Sequence, residues 1–266
     1  MQNLLAHTTT EYSGASAPVA WRGRKVNDES AFRKYAITRA APRLTDAEDD
    51  AELRADLDAL ATTDYATETL RNLLSARVEP QGWELAEALA ETFLADEHKV
   101  VWPWNHARDK RTPKASLPGK DLIGFVETTT GFALLFGEVK SSSDARTPPQ
   151  VMYGEDGMVT QLAEAACERS EQFSLLKWLR CRCKDTSLWP AFQQAVSRFL
   201  KSSGNDVVIW GVLVRDTEPN EKDLRARSSA LASKLPGVSR VELDAWYFPV
   251  PIDKWQSLLN GKSRGT

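Results

Sequence analysis

Three observations predict an α/β fold. Two apolar runs rich in β-branched and aromatic residues, Leu122 to Val126 and Phe132 to Phe136, flank a Thr/Gly break at Thr128 to Gly131, which reads as a β-hairpin. Val207 to Val214 is a nearly continuous β-branched run, the pattern of a strand buried on both faces. Before, between and after these runs, apolar residues recur at helical spacing, so helices are expected to alternate with strands.

Taken in order, residues 1 to 42 form a mixed segment in which Trp21-Arg22-Gly23-Arg24 reads as turn-forming. From Leu44 the pattern turns helical: Thr45-Asp46-Ala47-Glu48 is a start signal, and Leu53, Leu57 and Leu60 follow at helical spacing. A second helix is expected from Asp64 to Arg77. The acidic face between Asp46 and Asp58 reads as solvated, with shielding of a basic rim or docking of a basic partner as alternatives. Gly82 to Leu94 predicts a helix with Leu85, Leu89, Thr92 and Phe93 as its apolar stripe. Alternating Val and Trp around Val101 and Trp102 end a strand; there Trp102 and Trp104 pack a core or, alternatively, stack on a base. The hairpin follows, and then a Pro/Ser/Gly-rich loop, Ser141 to Gly157, of the kind that overhangs an active site. Met158 to about Cys183 reads as one long helix and Leu188 to Leu200 as another, ended by Gly204-Asn205-Asp206. Val207 to Val214 is the buried strand, Lys222 to Leu235 a helix, and Val241 to Val250 a final strand.

The hairpin carries the chemistry. Symmetry about Thr129 and Thr130 sets Asp121 directly opposite Glu138, where cross-strand Cβ atoms are only about 5 Å apart. Strand side chains alternate, so Glu138 and Lys140 share one face while Val139 points to the other layer. Two carboxylates that close repel unless a cation lies between them. Hard oxygen ligands beside an ammonium suit Mg²⁺, with Mn²⁺ able to substitute, and Mg²⁺ takes only one or two protein carboxylates, leaving room for a phosphodiester. Such a metal lowers the pKa of an attacking water, and Lys140 is then placed to orient that water or to stabilise developing charge. Glu-x-Lys alone carries no information: Glu97-His98-Lys99 is a second copy, at a helix end with no aspartate across a hairpin. The plain alternative for Glu138 and Lys140 is a solvated ion pair on an exposed strand face.

With Pro118-Gly119-Lys120-Asp121 and Glu138-Val139-Lys140 in place, the chain resembles the PD-(D/E)xK nuclease superfamily, with two residues inserted between the Pro and the Asp. The resemblance implies a restriction-endonuclease-like core of helix, three-stranded antiparallel meander, helix and strand, here behind a mostly helical N-terminal extension (1–78 and 79–266). It further implies a glutamate from the helix before the meander. Glu84 flanks the apolar stripe most closely and is the expected third carboxylate, with Glu87 next; Glu87 and Glu91 fall nearer the opposite face of the wheel. Gln161, in the first turn of the helix after the hairpin, is a candidate for a polar contribution to the site. Gly82-x-Glu84-Leu85-Ala86-Glu87, the Phe136-Gly137-Glu138-Val139-Lys140 strand end and the chain length are similar to the small nuclease subunit of Hachiman antiphage defence systems, over residues 82 to 143. That closer resemblance implies a DNase effector working with a separately encoded helicase.

Composition bounds the rest. At 266 residues and 42% hydrophobic content the chain has material for one full core and a small accessory unit. No run approaches the roughly 18 to 20 apolar residues of a membrane helix, and Met1 to Thr8 lacks a signal-peptide pattern, so a cytoplasmic protein off the membrane is expected. Cys167, Cys181 and Cys183 are too few and too close for a disulfide framework, and no Cys/His set completes a zinc site. A net charge of -3 argues against a constitutive nucleic-acid coat but not against a nuclease with a local basic rim. Arg108, Lys110, Arg111, Lys114 and Lys120 place five cations before the hairpin, either as a phosphate-binding rim or as an ordinary solvated loop. The expectation is a metal-dependent DNase without strong sequence recognition. Its rivals are a sequence- or structure-specific restriction or repair nuclease, an RNase, and a catalytically inactive scaffold subunit. The sequence leaves open whether the N-terminal helices bind a helicase, self-associate or cover the site.

Overall fold

The computed structural model describes residues 4–45, 47–75, 80–105, 109, 119–235 and 237–260. Its frame is one mixed sheet of seven strands, β1 (Thr8–Ser16), β2 (Val19–Val26), β3 (Val100–Val101), β4 (Leu122–Thr128), β5 (Gly131–Ser142), β6 (Val207–Arg215) and β7 (Arg240–Tyr247). Their spatial order is β1-β2-β7-β6-β5-β4-β3. β3, β4 and β5 form an antiparallel meander, β5, β6, β7 and β2 run parallel, and β1 closes the far edge antiparallel to β2.

Helices cover both faces. α4 (Gly82–His98) lies on one, where Leu85, Leu89 and Phe93 share a core with Leu122, Leu135, Val139, Trp210 and Val212. On the other, α5 (Met158–Cys167), α6 (Arg169–Cys183), α7 (Trp189–Lys201) and α8 (Arg225–Ala232) build a core with Ile123, Phe125, Leu134, Phe136, Ile209 and Leu213. β6 sits between these layers with all nine residues buried, which is why its sequence is apolar without alternation. A short α1 (Glu29–Tyr35), α2 (Ala47–Leu60), α3 (Asp64–Ser75) and a C-terminal α9 (Trp255–Asn260) complete the described helices. Among the described residues no helix is long and apolar enough to cross a membrane.

The hairpin register agrees with the sequence: Thr128 pairs with Gly131 and Leu122 with Gly137, around a Thr129-Thr130 turn. Gly131 takes φ +104, a conformation that favours glycine.

Several elements differ from expectation. Residues 8–26 are not part of a helical extension but a hairpin hydrogen-bonded to β7, so a boundary at 78/79 does not separate this segment from the sheet. Trp21-Arg22-Gly23-Arg24 lies inside β2 rather than in a turn. The expected helix from Met158 to Cys183 is two helices, broken at Glu168 (φ -79, ψ 106), where buried Gln172 donates through Nε2 to the carbonyls of Ala165 and Ala166. The expected helix from Lys222 to Leu235 shortens to a 3-10 turn at Glu221–Asp223 followed by α8. In α2 the apolar spacing does not mark a buried stripe, since Leu53 and Leu60 are exposed; in α3 Leu70 is buried while Tyr65 and Leu73 are exposed.

Candidate active site

The β4–β5 ladder positions the carboxylates. Continuing the Leu122–Gly137 pair by one residue sets Asp121 across from Glu138. Ile123 and Phe125 lie in the core under α5 to α8, as do Leu134 and Phe136. By alternation Asp121, Glu138 and Lys140 therefore occupy that same face, at the end of the sheet where β4 begins. Neither carboxylate is solvated: Asp121 is 9% exposed and Glu138 4%. Asp121 Oδ2 accepts the Val139 backbone N–H at 2.9 Å, which ties it to the strand between Glu138 and Lys140. Lys140 Nζ donates to Glu138 Oε1 at 2.8 Å.

The electrostatics of the pair are strained without a cation. Burial, and then the charge of Asp121, push the Glu138 carboxyl up to about 8 against the opposing pull of Lys140. Glu138 Oε2 is buried and has no hydrogen-bond partner. Gln161 Oε1 is in the same condition. Gln161 belongs to the first turn of α5, which presses on the sheet beside Glu138. Glu138 is the strand neighbour of Gly211, and a Cβ on Gly211 would sit 2.8 Å from Leu162 Cδ1 and 2.9 Å from Met158 Sδ. Only glycine admits so close a helix there.

Glu84 approaches from the opposite layer. Its Oε2 accepts the Gln81 N–H at 2.6 Å in a capping box that starts α4. That first turn lies at the strand end that bears Lys140. Gly82 packs against the Ile252 carbonyl, Ile252 N–H donates to Asp216 Oδ2 at 2.8 Å, and the same oxygen accepts Ser143 Oγ at 2.8 Å. Glu87 and Glu91 do not lie on a solvated face as the wheel suggested: α4 is buried all round from Glu84 to Leu94. Glu91, fully buried, pairs with Arg43, whose guanidinium also donates to the Trp104 carbonyl.

The basic segment comes out differently from its reading as a rim. Lys120 is not presented to solvent: its side chain is 2% exposed and its ammonium pairs with Glu171 of α6 at 2.9 Å. Arg108, Lys110, Arg111 and Lys114 lie outside the described residues. Trp104 is buried and donates to the Ile123 carbonyl at 2.7 Å, which makes it a core residue.

Among the described residues no group of three or more His, Cys, Asp or Glu is placed to hold a metal ion. The pair Asp121 and Glu138 still fits a hard cation: two facing carboxylates are as many as Mg²⁺ ordinarily takes from protein, and the orphaned Glu138 Oε2 and Gln161 Oε1 are oxygen donors. Sequence reasoning missed the cations of a pocket at the end of β5, Arg146 and Arg227. The loop that bears Arg146 was legible from its Pro, Ser and Gly; Arg227, on a polar helix distant in sequence, gave no signal.

Comparison with protein-family models and with curated proteins finds no match to this chain. The class defined by fold and site is a mixed α/β protein with helices on both faces of a seven-stranded sheet, two buried carboxylates facing across a hairpin, and a lysine on the same strand.

Proposed function

We propose that this protein is a metal-dependent nuclease of the PD-(D/E)xK type that hydrolyses phosphodiester bonds in DNA. The observation that carries the reading is the Asp121–Glu138 pair with Lys140 on the same face. The element order from α4 through the β3-β4-β5 meander and α5 to the parallel strand β6 supports it. So does the raised carboxyl of Glu138, which marks a site more stable with a cation than without.

Asp121 and Glu138 would hold Mg²⁺ or Mn²⁺, with Gln161 and Glu84 as candidates to add a contact. When bound, the ion supplies a lowered pKa for water and neutralises charge on the phosphate. The residues do the rest. The Val139 N–H fixes Asp121 Oδ2 and so holds the carboxylate against the strand that carries Glu138 and Lys140. Glu138, raised by burial and by the charge of Asp121, would hold a bound cation as the carboxylate, the form that a nearby positive charge favours. Lys140, whose ammonium lies on this face beside Glu138, would orient the attacking water and offset negative charge on the phosphorus oxygens in the transition state.

The resemblance over residues 82 to 143 adds a biological reading: a cytoplasmic effector of an antiphage defence system, brought to DNA by a helicase subunit. The net charge of -3 suits an enzyme whose substrate is delivered by a partner. The test is digestion of plasmid DNA in Mg²⁺ by the wild type, by the Glu138→Ala, Lys140→Ala double variant and in EDTA, with an RNA of similar length in parallel. Metal-dependent nicking or degradation absent from the double variant is the expected result, and a smear rather than discrete bands marks cleavage without sequence recognition. Equal cleavage by wild type and double variant, or none from the wild type with its helicase supplied, sinks the reading.

A further inference from the structure

We infer that the pocket at the end of β5 binds one nucleotide unit of a single-stranded nucleic acid, its phosphate against Arg227 and its base against Tyr153. The inference rests on the nuclease reading for its biological sense, but its observations are independent of the carboxylate pair.

The loop after β5 is a built structure. Fully buried Arg215 donates through Nη2 to the carbonyls of Asp144 (2.7 Å) and Arg146 (3.3 Å). Met152 is buried in the same core as Met158 and Leu162, and Thr160 Oγ1 donates to the Gly154 carbonyl at 2.8 Å. The loop starts three residues past Lys140, and Arg215, opposite Ser142 in the ladder, shares the face that carries Glu138 and Lys140. Held this way, the loop walls a pocket of about 410 Å³ lined by Arg146, Thr147, Pro148, Tyr153 and Arg227. That volume falls within the range of small-ligand pockets.

The two cations are not equivalent. Arg146 is engaged by Asp144, at 2.8 Å from Nη2 and 2.8 Å from Nε to Oδ2. Arg227 has no acid partner among the described residues, and its Nε is buried without an acceptor. Its helix neighbour Arg225, by contrast, is taken by Glu221. Of the acids in the loop, Glu155 and Asp156 are not among the lining residues. Arg227 lines the pocket without an acid partner among the described residues, and a guanidinium fork suits a phosphate that enters there. The Arg227 guanidinium lies 5.5 Å from the centroid of the Tyr153 ring. Tyr153 is packed in part against the core and carries this cation over its ring, so a base entering beside the apolar Pro148 meets the planar guanidinium and the ring edge together. In a duplex the base faces are already stacked, so the occupant is a strand whose bases are free.

The experiment is fluorescence anisotropy with a labelled oligothymidylate in EDTA, so that binding is read without cleavage. A duplex of equal length is run beside it, and free thymidine monophosphate serves as competitor. Relative to wild type, Arg227→Ala should weaken binding by about tenfold and reduce the slope of log K against log salt by about one. Tyr153→Ala should weaken it by about fivefold while Tyr153→Phe retains it. Arg227→Lys, which keeps the charge and loses the fork, should fall between wild type and Arg227→Ala. The inference is overturned if the wild type fails to bind the oligonucleotide at low salt, if Arg227→Ala and Tyr153→Ala bind as well as wild type, or if the duplex shows the same losses. It is also overturned, in favour of a free-nucleotide site, if the monophosphate competes as well as the strand. Pocket-independent binding with intact Mg²⁺-dependent cleavage rejects the pocket and leaves the nuclease. Pocket-dependent binding with no cleavage under any condition does the reverse.

Discussion

Lys140 Nζ sits 2.8 Å from Glu138 Oε1, so the ammonium is held by the very carboxyl that burial and Asp121 push toward protonation. One ion pair does not offset two charges on adjoining strands. The site is therefore destabilising in its metal-free, fully ionised form, and that cost is measurable.

The first prediction follows from its sign. The folded Glu138 carboxyl is raised to about 8, whereas an unfolded glutamate titrates near about 4.3. Between those values the folded state holds a proton that the unfolded state has released, so stability falls as pH rises through the window. Glu138→Gln removes the titration. In EDTA the variant should melt close to wild type at pH 5 and above it at pH 8.5, by an amount on the order of a few kcal/mol. Mg²⁺ should raise the wild-type Tm at pH 8.5 and leave the variant where it was. Parallel Tm profiles for the two proteins from pH 5 to 9 would remove the buried, raised carboxyl from the account.

Gln161 gives the second prediction. Its Oε1 is buried without a partner, so that oxygen carries a desolvation penalty of about 1–3 kcal/mol in the metal-free fold. Gln161→Leu should leave urea stability in EDTA unchanged or increase it. If the amide completes the site beside Glu138, the same variant should lower Mg²⁺-dependent cleavage by about tenfold. Loss of stability with full activity would make Gln161 a structural residue.

How far the site was legible depends on which physical term set each feature. The Asp121–Glu138 register followed from a period of two and a single Thr/Gly break, both local properties. The β1–β2 hairpin did not, because β1 is an edge strand: Thr8, Thr9, Thr10 and Ser13 carry no apolar alternation, and Arg22 and Arg24 look like solvent residues until Asp244 and Glu97 face them. The wheel of α4 misplaced Glu87 and Glu91 because it assumes one buried side, whereas the helix is buried on all sides and Arg43, from a distant turn, neutralises Glu91. The break at Glu168 has no Gly or Pro to announce it; it is held by Gln172 reaching back to the carbonyls of Ala165 and Ala166. Lys120 looked solvated by composition and is buried because Glu171 comes to it from α6.

The third prediction tests whether the N-terminal hairpin is integral. Arg22 on β2 grips Asp244 on β7 through Nε (2.5 Å) and Nη2 (3.2 Å), and the second carboxylate oxygen also accepts Trp210 Nε1 from β6 at 2.9 Å. Asp244 is 2% exposed. Its charge pulls the Arg22 guanidinium up even against burial, which alone would lower it. Removing the guanidinium leaves a buried carboxylate with one neutral donor in its place, and breaking such a pair costs about 3–5 kcal/mol. Arg22→Ala should therefore lower the midpoint of urea unfolding for the whole sheet. Far-UV circular dichroism and tryptophan fluorescence should shift together, because Trp210 and Trp246 lie in strands that the hairpin extends. Arg22→Ala with Asp244→Ala should recover part of the loss, since the double variant buries no unpaired charge. A fluorescence midpoint unmoved in Arg22→Ala would mean that β1 and β2 unfold as an appendage, and the boundary expected from sequence near residue 78 would then describe the energetics better than the hydrogen-bonded sheet does.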